Sequence, residues 1–120
     1  MVISSKLGDD GELIAYNYLK KQNYQILERN WRHKHKEIDI IALIGGEICI
    51  IEVKTRSSDY IPPKDSVTHK KQRNLIFAAN EYIKQENIDL NVRFDIIEII
   101  LNSKQKKITH IKDAFTAQLI

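Results

Sequence analysis

The sequence contains little that would direct it to a membrane or to an oxidising compartment. Its single cysteine, Cys49, cannot form an intrachain disulfide, and its place inside an apolar run predicts a small buried side chain. No spacing of cysteine and histidine typical of a zinc site is present. The first residues lack the apolar stretch of a signal peptide, and no run approaches the ~20 apolar residues that cross a bilayer. We therefore expect a cytoplasmic protein with no membrane partner.

An excess of charge of one sign is also missing. Lysine and arginine total 19 against 16 aspartates and glutamates, which gives a formal net charge of only +3. This excess does not by itself predict a nucleic-acid partner, so clusters of basic residues must carry that inference. No repeat and no low-complexity linker divides the 120 residues, a length that suits one domain spanning 1–120.

The most informative stretch is 37–54, where two runs rich in β-branched residues flank Gly45-Gly46. A Gly-Gly pair in this setting predicts a β-hairpin with a two-residue or four-residue loop, which fixes the strand register. The predicted register pairs Ile44 with Glu47, Ala42 with Cys49, Asp39 with Glu52, and Glu37 with Lys54.

Alternation of side chains along the strands assigns each residue of the hairpin to one face of the sheet. One face carries Glu37, Asp39, Ile41, Leu43, Ile48, Ile50, Glu52 and Lys54. The other carries Ile38, Ile40, Ala42, Ile44, Cys49, Ile51 and Val53. Both faces are largely apolar, a pattern typical of a sheet covered on both sides.

Asp39 and Glu52 therefore meet at one end of a buried face. Opposed β-carbons lie roughly 5 Å apart, where two carboxylates repel by about 3 kcal/mol at an effective dielectric near 20. A divalent cation relieves this repulsion more than one lysine does, and oxygen ligands are those that Mg²⁺ prefers. The alternative is a ladder in which Glu37 pairs with Lys54 while both acids turn to water. The apolar continuation of the face favours the metal site.

Helical spacing predicts two helices. The first runs from Leu7 to Gln22 and places Glu12 at the end of its inward face, where the alternative role is to complement the helix dipole. The second begins at Ser66 as N-cap and runs to about Glu86. Its apolar face includes Lys71, which either reaches a phosphate at the site or extends along the helix edge.

Three further strands follow from apolar runs: Tyr24–Trp31, Val92–Leu101 and Lys107–Ile111. The second of these comes one helix after the hairpin and is expected to lie parallel to the strand of Glu52. Residues 55–63 are predicted to form a loop that covers or gates the site. Near the start of the Val92–Leu101 strand, Arg93 and Asp95 are predicted to form a local ion pair. His110 is expected to have a structural role, and Phe115 is expected to close the core.

The segment from Arg29 to Lys36 is the densest basic stretch and has a tryptophan within it. Arg29, Arg32, Lys34 and Lys36 are expected to contact nucleic-acid phosphates, together with Arg56 and Lys71. Trp31, His33 and His35 add rings that stack on bases. The alternative is an ordinary solvated strand end and turn.

An acid on the second strand, Glu-x-Lys on the third and a glutamate on the first helix resemble the PD-(D/E)XK nuclease superfamily of restriction endonucleases and Holliday junction resolvases. More closely, the chain resembles the YraN family of bacterial proteins. The matching residues are Gly11-Glu12, Tyr18-Leu19, Ile26–Asn30, Glu37–Ile41, Glu52–Arg56, Val67, Lys71, Arg93–Asp95 and Ala114-Phe115. Lys36 and Ile61 stand where the family usually has glycine.

The resemblance implies an α/β, restriction-endonuclease-like α-β-β-β-α-β core with a mixed central sheet flanked by helices. It implies a nuclease acting on structured DNA, in which Asp39, Glu52 and the Val53 carbonyl hold Mg²⁺ or Mn²⁺ that activates water. Lys54 would orient the water and contact the phosphate, and Glu12 would hold a second metal or a water. A junction-cutting enzyme would act as a two-fold homodimer.

Two other functional classes stay open: a non-catalytic nucleic-acid-binding module with the same fold, and a protein-interaction subunit. The intact set of Asp39, Glu52 and Lys54 favours the nuclease, because a binding module has no need of two acids that repel each other.

Overall fold

The computed structural model describes residues 2–58 and 67–116, with side chains described from Lys6 onward. The elements in chain order are α1 (Val2–Lys21), β1 (Gln25–His33), β2 (Lys36–Ile44), β3 (Glu47–Arg56), α2 (His69–Gln85), β4 (Asn91–Leu101) and β5 (Lys106–Phe115). The five strands form a mixed sheet in the order β1-β2-β3-β4-β5. β3 and β4 are parallel, as predicted, and the other neighbours are antiparallel.

The predicted hairpin register is confirmed over its apolar part. Ile44 pairs with Glu47 and Ala42 with Cys49, and the paired stretch continues to Ile40 and Ile51. Gly45 and Gly46 have φ values of 55° and 77°. Two successive positive φ values are the geometry of a type I′ turn, which glycine adopts without steric cost.

Several element boundaries differ from the predictions: β1 ends at His33 rather than Trp31, and β5 ends at Phe115 rather than Ile111. Helix α1 begins at Val2 rather than Leu7. Strand β3 continues through Thr55 and Arg56, which were predicted as loop, because its parallel pairing with β4 extends that far. The N-cap of α2 is Thr68 rather than Ser66, since the Thr68 hydroxyl accepts the Lys71 N–H at 3.2 Å. Ser66, Ile61 and the rest of 59–66 lie outside the described residues.

Each face of the sheet is covered by one helix, as the two apolar faces predicted. On one face, Ala15 and Leu19 of α1 pack on Ile40, Ile51 and their neighbours. The opposite face is covered by α2, whose contributing residues are Leu75, Ala78, Ala79 and Tyr82. Within residues 2–58 and 67–116, neither helix combines the length and apolar character required to span a bilayer.

The assignment of Ile38 to the α1 face was wrong. Ile38 packs with Ile41 on the α2 face, so strict alternation fails between them, at Asp39. The Asp39 carboxylate accepts a hydrogen bond from the Val53 N–H, which a regular ladder would direct to a backbone carbonyl. On the other side of β2, Asn30 of β1 has a φ of 53°, so the irregularity extends across both strands. The hairpin thus opens where the acids lie.

Candidate active site

Asp39 and Glu52 lie together at the open end of the β2–β3 hairpin, and both are buried. The exposed fraction is 9% for Asp39 and 3% for Glu52. Asp39 Oδ2 accepts the Val53 N–H at 2.8 Å. Glu52 Oε2 lies 3.1 Å from Lys71 Nζ and 3.9 Å from Lys54 Nζ. The alternative in which the acids turn to water is excluded by their burial.

The two carboxylates are close enough to compete for one proton. Burial, and after it the negative charge of Glu52, raise the pKa of Asp39 to about 8, although the hydrogen bond from the Val53 N–H acts in the opposite direction. In the absence of a cation, Asp39 is therefore protonated at neutral pH and can donate to Glu52. The predicted salt-bridge ladder does not form either, because Glu37 pairs with Arg32 at 2.8 Å rather than with Lys54.

Two lysines from different elements approach Glu52. Lys71 lies in the first turn of α2, which the Thr68 cap fixes, and its ammonium is nearer to Glu52 than that of Lys54. Burial acts to lower the pKa of Lys71, but the charge of Glu52 and a hydrogen bond to it raise it overall. The Lys71 ammonium therefore lies beside the acid pair, and its predicted contact with a phosphate stays a prediction.

Glu12 faces the same group of acids from α1. The helix is held close to β3 at Gly11, where an added Cβ would lie 1.8 Å from Thr55 Oγ1. An added Cβ at Gly8 would meet none of the described residues within 4 Å, so Gly11 is the glycine that permits the close approach. Burial and the charge of Glu37 raise the pKa of Glu12, Arg29 lowers it, and Glu52 contributes a smaller increase.

The donors suit a hard cation of the Mg²⁺ class. Asp39 Oδ2 accepts the Val53 N–H and Glu52 Oε2 lies beside the Lys71 ammonium, and each carboxylate has a second oxygen that can serve as a ligand. Across residues 2–58 and 67–116, no group of three or more His, Cys, Asp or Glu side chains is arranged to hold a metal ion. Mg²⁺ is commonly bound through one or two carboxylates together with waters and substrate phosphates, so a two-carboxylate site fits it. The roles of the Val53 carbonyl and Glu12 as ligands stay predictions.

The predicted phosphate-contacting residues have different surroundings. Arg32 is paired with Glu37, and Arg56 is paired with Glu98 through a contact of 2.6 Å between Nη2 and Oε2. Since Glu98 is only 2% exposed, Arg56 neutralises a buried charge. Lys34 is exposed in the β1–β2 turn.

Two of these cations lie over aromatic rings. Arg29 is 4.8 Å from the ring centroid of Tyr16, and Lys36 is 4.7 Å from that of Phe77. The predicted base-stacking rings of β1 are turned towards the protein: Trp31 stacks on His33 at 6.0 Å and meets the edge of Tyr82 at 5.4 Å. His35 is exposed in the turn.

A second buried polar cluster surrounds Asp95, which is 1% exposed. The predicted ion pair with Arg93 is confirmed and has two hydrogen bonds, Nε to Oδ1 and Nη2 to Oδ2, both at 2.9 Å. His110 Nε2 lies 2.7 Å from Asp95 Oδ2, and its Nδ1 lies 3.0 Å from the Tyr18 hydroxyl. Burial acts to raise the pKa of Asp95, but hydrogen bonds from His110 and Arg93 hold it well below its usual range.

This cluster joins α1, β3, β4 and β5, and sequence reasoning identified only its Arg93–Asp95 pair. Cys49 is fully buried, as predicted, and its Sγ donates to Asp95 Oδ2 at 3.4 Å. Burial and the Asp95 charge raise the pKa of the Cys49 thiol to about 12. The sequence signal for the Asp95–His110 contact was an acid and a histidine on consecutive strands. The turn between β4 and β5 does not fix their register, so the sequence could not show that these two side chains meet.

Comparison with known proteins gives the family. The model of the uncharacterised protein family UPF0102 matches residues 11–99, a range that includes Glu12, Asp39, Glu52, Lys54 and Lys71. The chain is 49% identical over 110 residues to a UPF0102 protein of Bacteroides fragilis, with 91% of each chain covered. It is 44% identical over 118 residues to a UPF0102 protein of Parabacteroides distasonis, with 98% of each covered. The predicted likeness to YraN proteins is confirmed in this form, and the chain belongs to the UPF0102 family.

Proposed function

We propose that this protein is a metal-dependent nuclease of the PD-(D/E)XK type, which hydrolyses phosphodiester bonds in DNA that departs from a regular duplex. The observation that supports this most directly is the pair of buried carboxyl groups, Asp39 and Glu52, whose ionised forms repel each other, with two lysines beside them. A buried acid pair destabilises a fold unless something else neutralises it, so its presence favours a functional role.

The site combines the two kinds of group that a phosphodiester requires. The carboxylates of Asp39 and Glu52 offer oxygen ligands, and the ammonium groups of Lys54 and Lys71 offer positive charge for phosphate oxygens. Mg²⁺ or Mn²⁺ bound by the acids would offset charge developing on the phosphate and would lower the pKa of a water molecule.

Each residue then has a separate role. Asp39 and Glu52 hold the cation, and the Val53 carbonyl is the proposed third oxygen. Lys54 orients the attacking water, as its place two residues after Glu52 suggests. Lys71 neutralises Glu52 in the absence of a cation. The Lys71 side chain is 45% exposed, so it can turn towards a phosphate when a bound cation neutralises Glu52 instead. Glu12 contacts water on the α1 side.

The first test is calorimetric titration of Mn²⁺ into the wild-type chain, Asp39→Asn and Glu52→Gln. We expect binding to the wild type and its loss in both variants. Cleavage is then measured on single-stranded, flapped, junction and duplex DNA, where Asp39→Asn is expected to lower the rate on the order of a hundredfold or more. Lys71→Ala should also slow cleavage, whereas Lys84→Ala, at the other end of α2, should not.

Cleavage that persists in Asp39→Asn purified alongside the wild type would exclude the proposal. So would the failure of Mn²⁺ to bind the wild type at millimolar concentration, because the acid pair would then have no cation to hold.

One observation favours a second candidate, a non-catalytic nucleic-acid-binding module. Glu52 already has an ammonium partner in Lys71, and the described part of the chain holds no cluster of three metal-ligating side chains. This candidate requires salt-sensitive binding of nucleic acid without cleavage, and binding that Glu52→Gln leaves unchanged. Strict dependence of binding on a divalent cation would exclude it.

A further inference from the structure

Phe77 is an exposed aromatic residue at the middle of α2. Its exposed fraction is 47%, whereas the other apolar residues Leu75, Ala78 and Ala79 around it are buried. Lys36 of β2 places its ammonium 4.7 Å from the centre of the Phe77 ring. The ring therefore lies at the surface with a cation against it, an arrangement that core packing does not require.

Two basic residues share the helix surface of Phe77 on its N-terminal side. Lys70 and Arg73 precede it by seven and four residues, which puts all three on one stripe of α2, and all are exposed. Glu81, an acid four residues after Phe77, is paired with His33 at 3.4 Å and with Lys84 at 3.6 Å. We call Lys70, Arg73, Phe77 and Lys36 the α2 stripe; its net charge is positive.

Lys70, the first residue of the α2 stripe, directly precedes Lys71, which contacts Glu52. Phe77 follows Lys71 by six residues, which is about 9 Å along the helix axis and about 120° around it. About two or three nucleotides of an extended, unstacked strand are long enough to cover this path. Lys36 directly precedes Glu37 on β2 and comes three residues before Asp39. A strand whose phosphate lies at Lys71 and Glu52 can therefore run along α2 and reach the ring.

We propose that the α2 stripe binds an unpaired segment of nucleic acid, with one base stacked on Phe77 and with Arg73 and Lys70 contacting the phosphates. Stacking on an aromatic ring needs a base that is free of its own neighbours, and every base offers the required face. The inference rests on the proposed function, to which it adds the substrate class: strands with an unpaired segment two or three nucleotides from the phosphate that is cut.

The test uses the full-length Asp39→Asn chain in EDTA, so that neither metal nor cleavage enters the measurement. Fluorescence anisotropy gives the affinity for a labelled 12-nucleotide single strand and for a blunt duplex of the same length. We expect the single strand to bind more tightly, and Phe77→Leu to weaken it about tenfold while changing duplex binding less than twofold. Phe77→Tyr should retain the affinity for the single strand.

Two further variants distinguish base stacking on Phe77 from the loss of any exposed apolar side chain and from contacts with phosphates. Leu90→Ala removes another exposed apolar side chain, 45% exposed and outside the stripe, and should change neither affinity. Arg73→Ala should lower the slope of log affinity against log salt by about 0.7, the contribution of one phosphate on a single strand.

Equal affinity of Phe77→Leu and its parent for the single strand would overturn the inference, as would an equal loss for both DNA forms. Sedimentation of the same samples tests whether a second copy of the chain occupies this surface instead. A homodimer that dissociates in Phe77→Leu, with unchanged DNA affinity, would make this surface a subunit interface and overturn the inference. These outcomes are independent of the nuclease proposal, which stands or falls by Mn²⁺ binding and cleavage.

Discussion

The ammonium of Lys71 lies 3.1 Å from a carboxylate oxygen of Glu52, and this contact joins the first turn of α2 to the open end of the β2–β3 hairpin. Glu52 is only 3% exposed, so the lysine supplies the countercharge that a buried carboxylate needs. It also ties the position of the helix to the charge state of the acid pair. A cation or a phosphate entering the site has to change this contact.

Cation binding should release a proton. Because burial and the Glu52 charge raise the pKa of Asp39 to about 8, Asp39 carries a proton at pH 7 that an incoming cation must displace. We expect close to one proton released per Mn²⁺ at pH 7, and an affinity that rises with pH until about pH 8. Calorimetry in two buffers of different ionisation enthalpy measures this number. Release of no proton would show that Asp39 is already ionised or is not a ligand.

Stability in EDTA should fall as pH rises. The folded chain keeps the Asp39 proton up to about pH 8, whereas the unfolded chain loses it near the ordinary aspartate pKa of 3.8, so between these pH values the folded state binds more protons. The free energy of unfolding therefore decreases with pH across this window. Asp39→Asn should remove the decrease and be more stable than the wild type at pH 8.5 by on the order of a few kcal/mol.

Urea unfolding at pH 5 and pH 8.5 provides the comparison. Asp89→Asn, which alters an exposed acid, is the control and should shift neither value by more than about 0.5 kcal/mol. An Asp39→Asn variant that is less stable than the wild type at pH 8.5 would contradict the assignment.

Gly11→Ala should destabilise the fold. The new Cβ would lie 1.8 Å from Thr55 Oγ1, so α1 would have to move away from β3, at a cost of about 1–3 kcal/mol. Gly8→Ala is the matched control on the same helix, since its Cβ would meet nothing within 4 Å in the part of the chain that the structure describes. Alanine favours a helix over glycine, so Gly8→Ala should stabilise by up to about 1 kcal/mol. Thermal unfolding of both variants, followed by circular dichroism, separates the effect of the clash with Thr55 from the effect of the higher helix propensity of alanine.

Asp95→Ala should destabilise the protein without changing the acid pair. It leaves the Arg93 guanidinium, whose side chain is 18% exposed, without its bidentate partner, at a cost of about 3–5 kcal/mol. Tyr18→Phe removes only the hydroxyl that contacts His110 and should cost about 1 kcal/mol. Mn²⁺ affinity of the folded fraction should be equal in both variants and the wild type, and a loss in either would link the two clusters.

Acid should weaken the Asp95 cluster. The pKa of Asp95 is held below its usual range in the folded state, so its contribution is complete above the unfolded value near 3.8 and is lost as pH falls towards the folded value. Acid titration of the wild type and Asp95→Asn, followed by near-ultraviolet circular dichroism, measures this loss. The wild type should show a component of acid unfolding that is absent in Asp95→Asn. Identical acid profiles would mean that another carboxylate controls acid unfolding.

The sequence by itself determined the hairpin, the meeting of Asp39 with Glu52, and the parallel return of β4. The two faces of β2 and β3 follow from a period of two, and Gly45-Gly46 sets the register, so nearest-neighbour rules were sufficient. These rules failed at Ile38. The Asp39 side chain of β2 accepts the backbone N–H of Val53 in β3, and this contact interrupts the alternation of side chains along β2.

Tertiary structure alone decided which charges meet across elements. Lys71 reaches Glu52, Arg56 is paired with Glu98, and His110 meets Asp95, although each pair is separated by between 15 and 42 residues. Such contacts depend on how a helix docks on the sheet and on the register of a long return strand. Neither is specified by local spacing, because both result from packing of the two apolar layers as a whole.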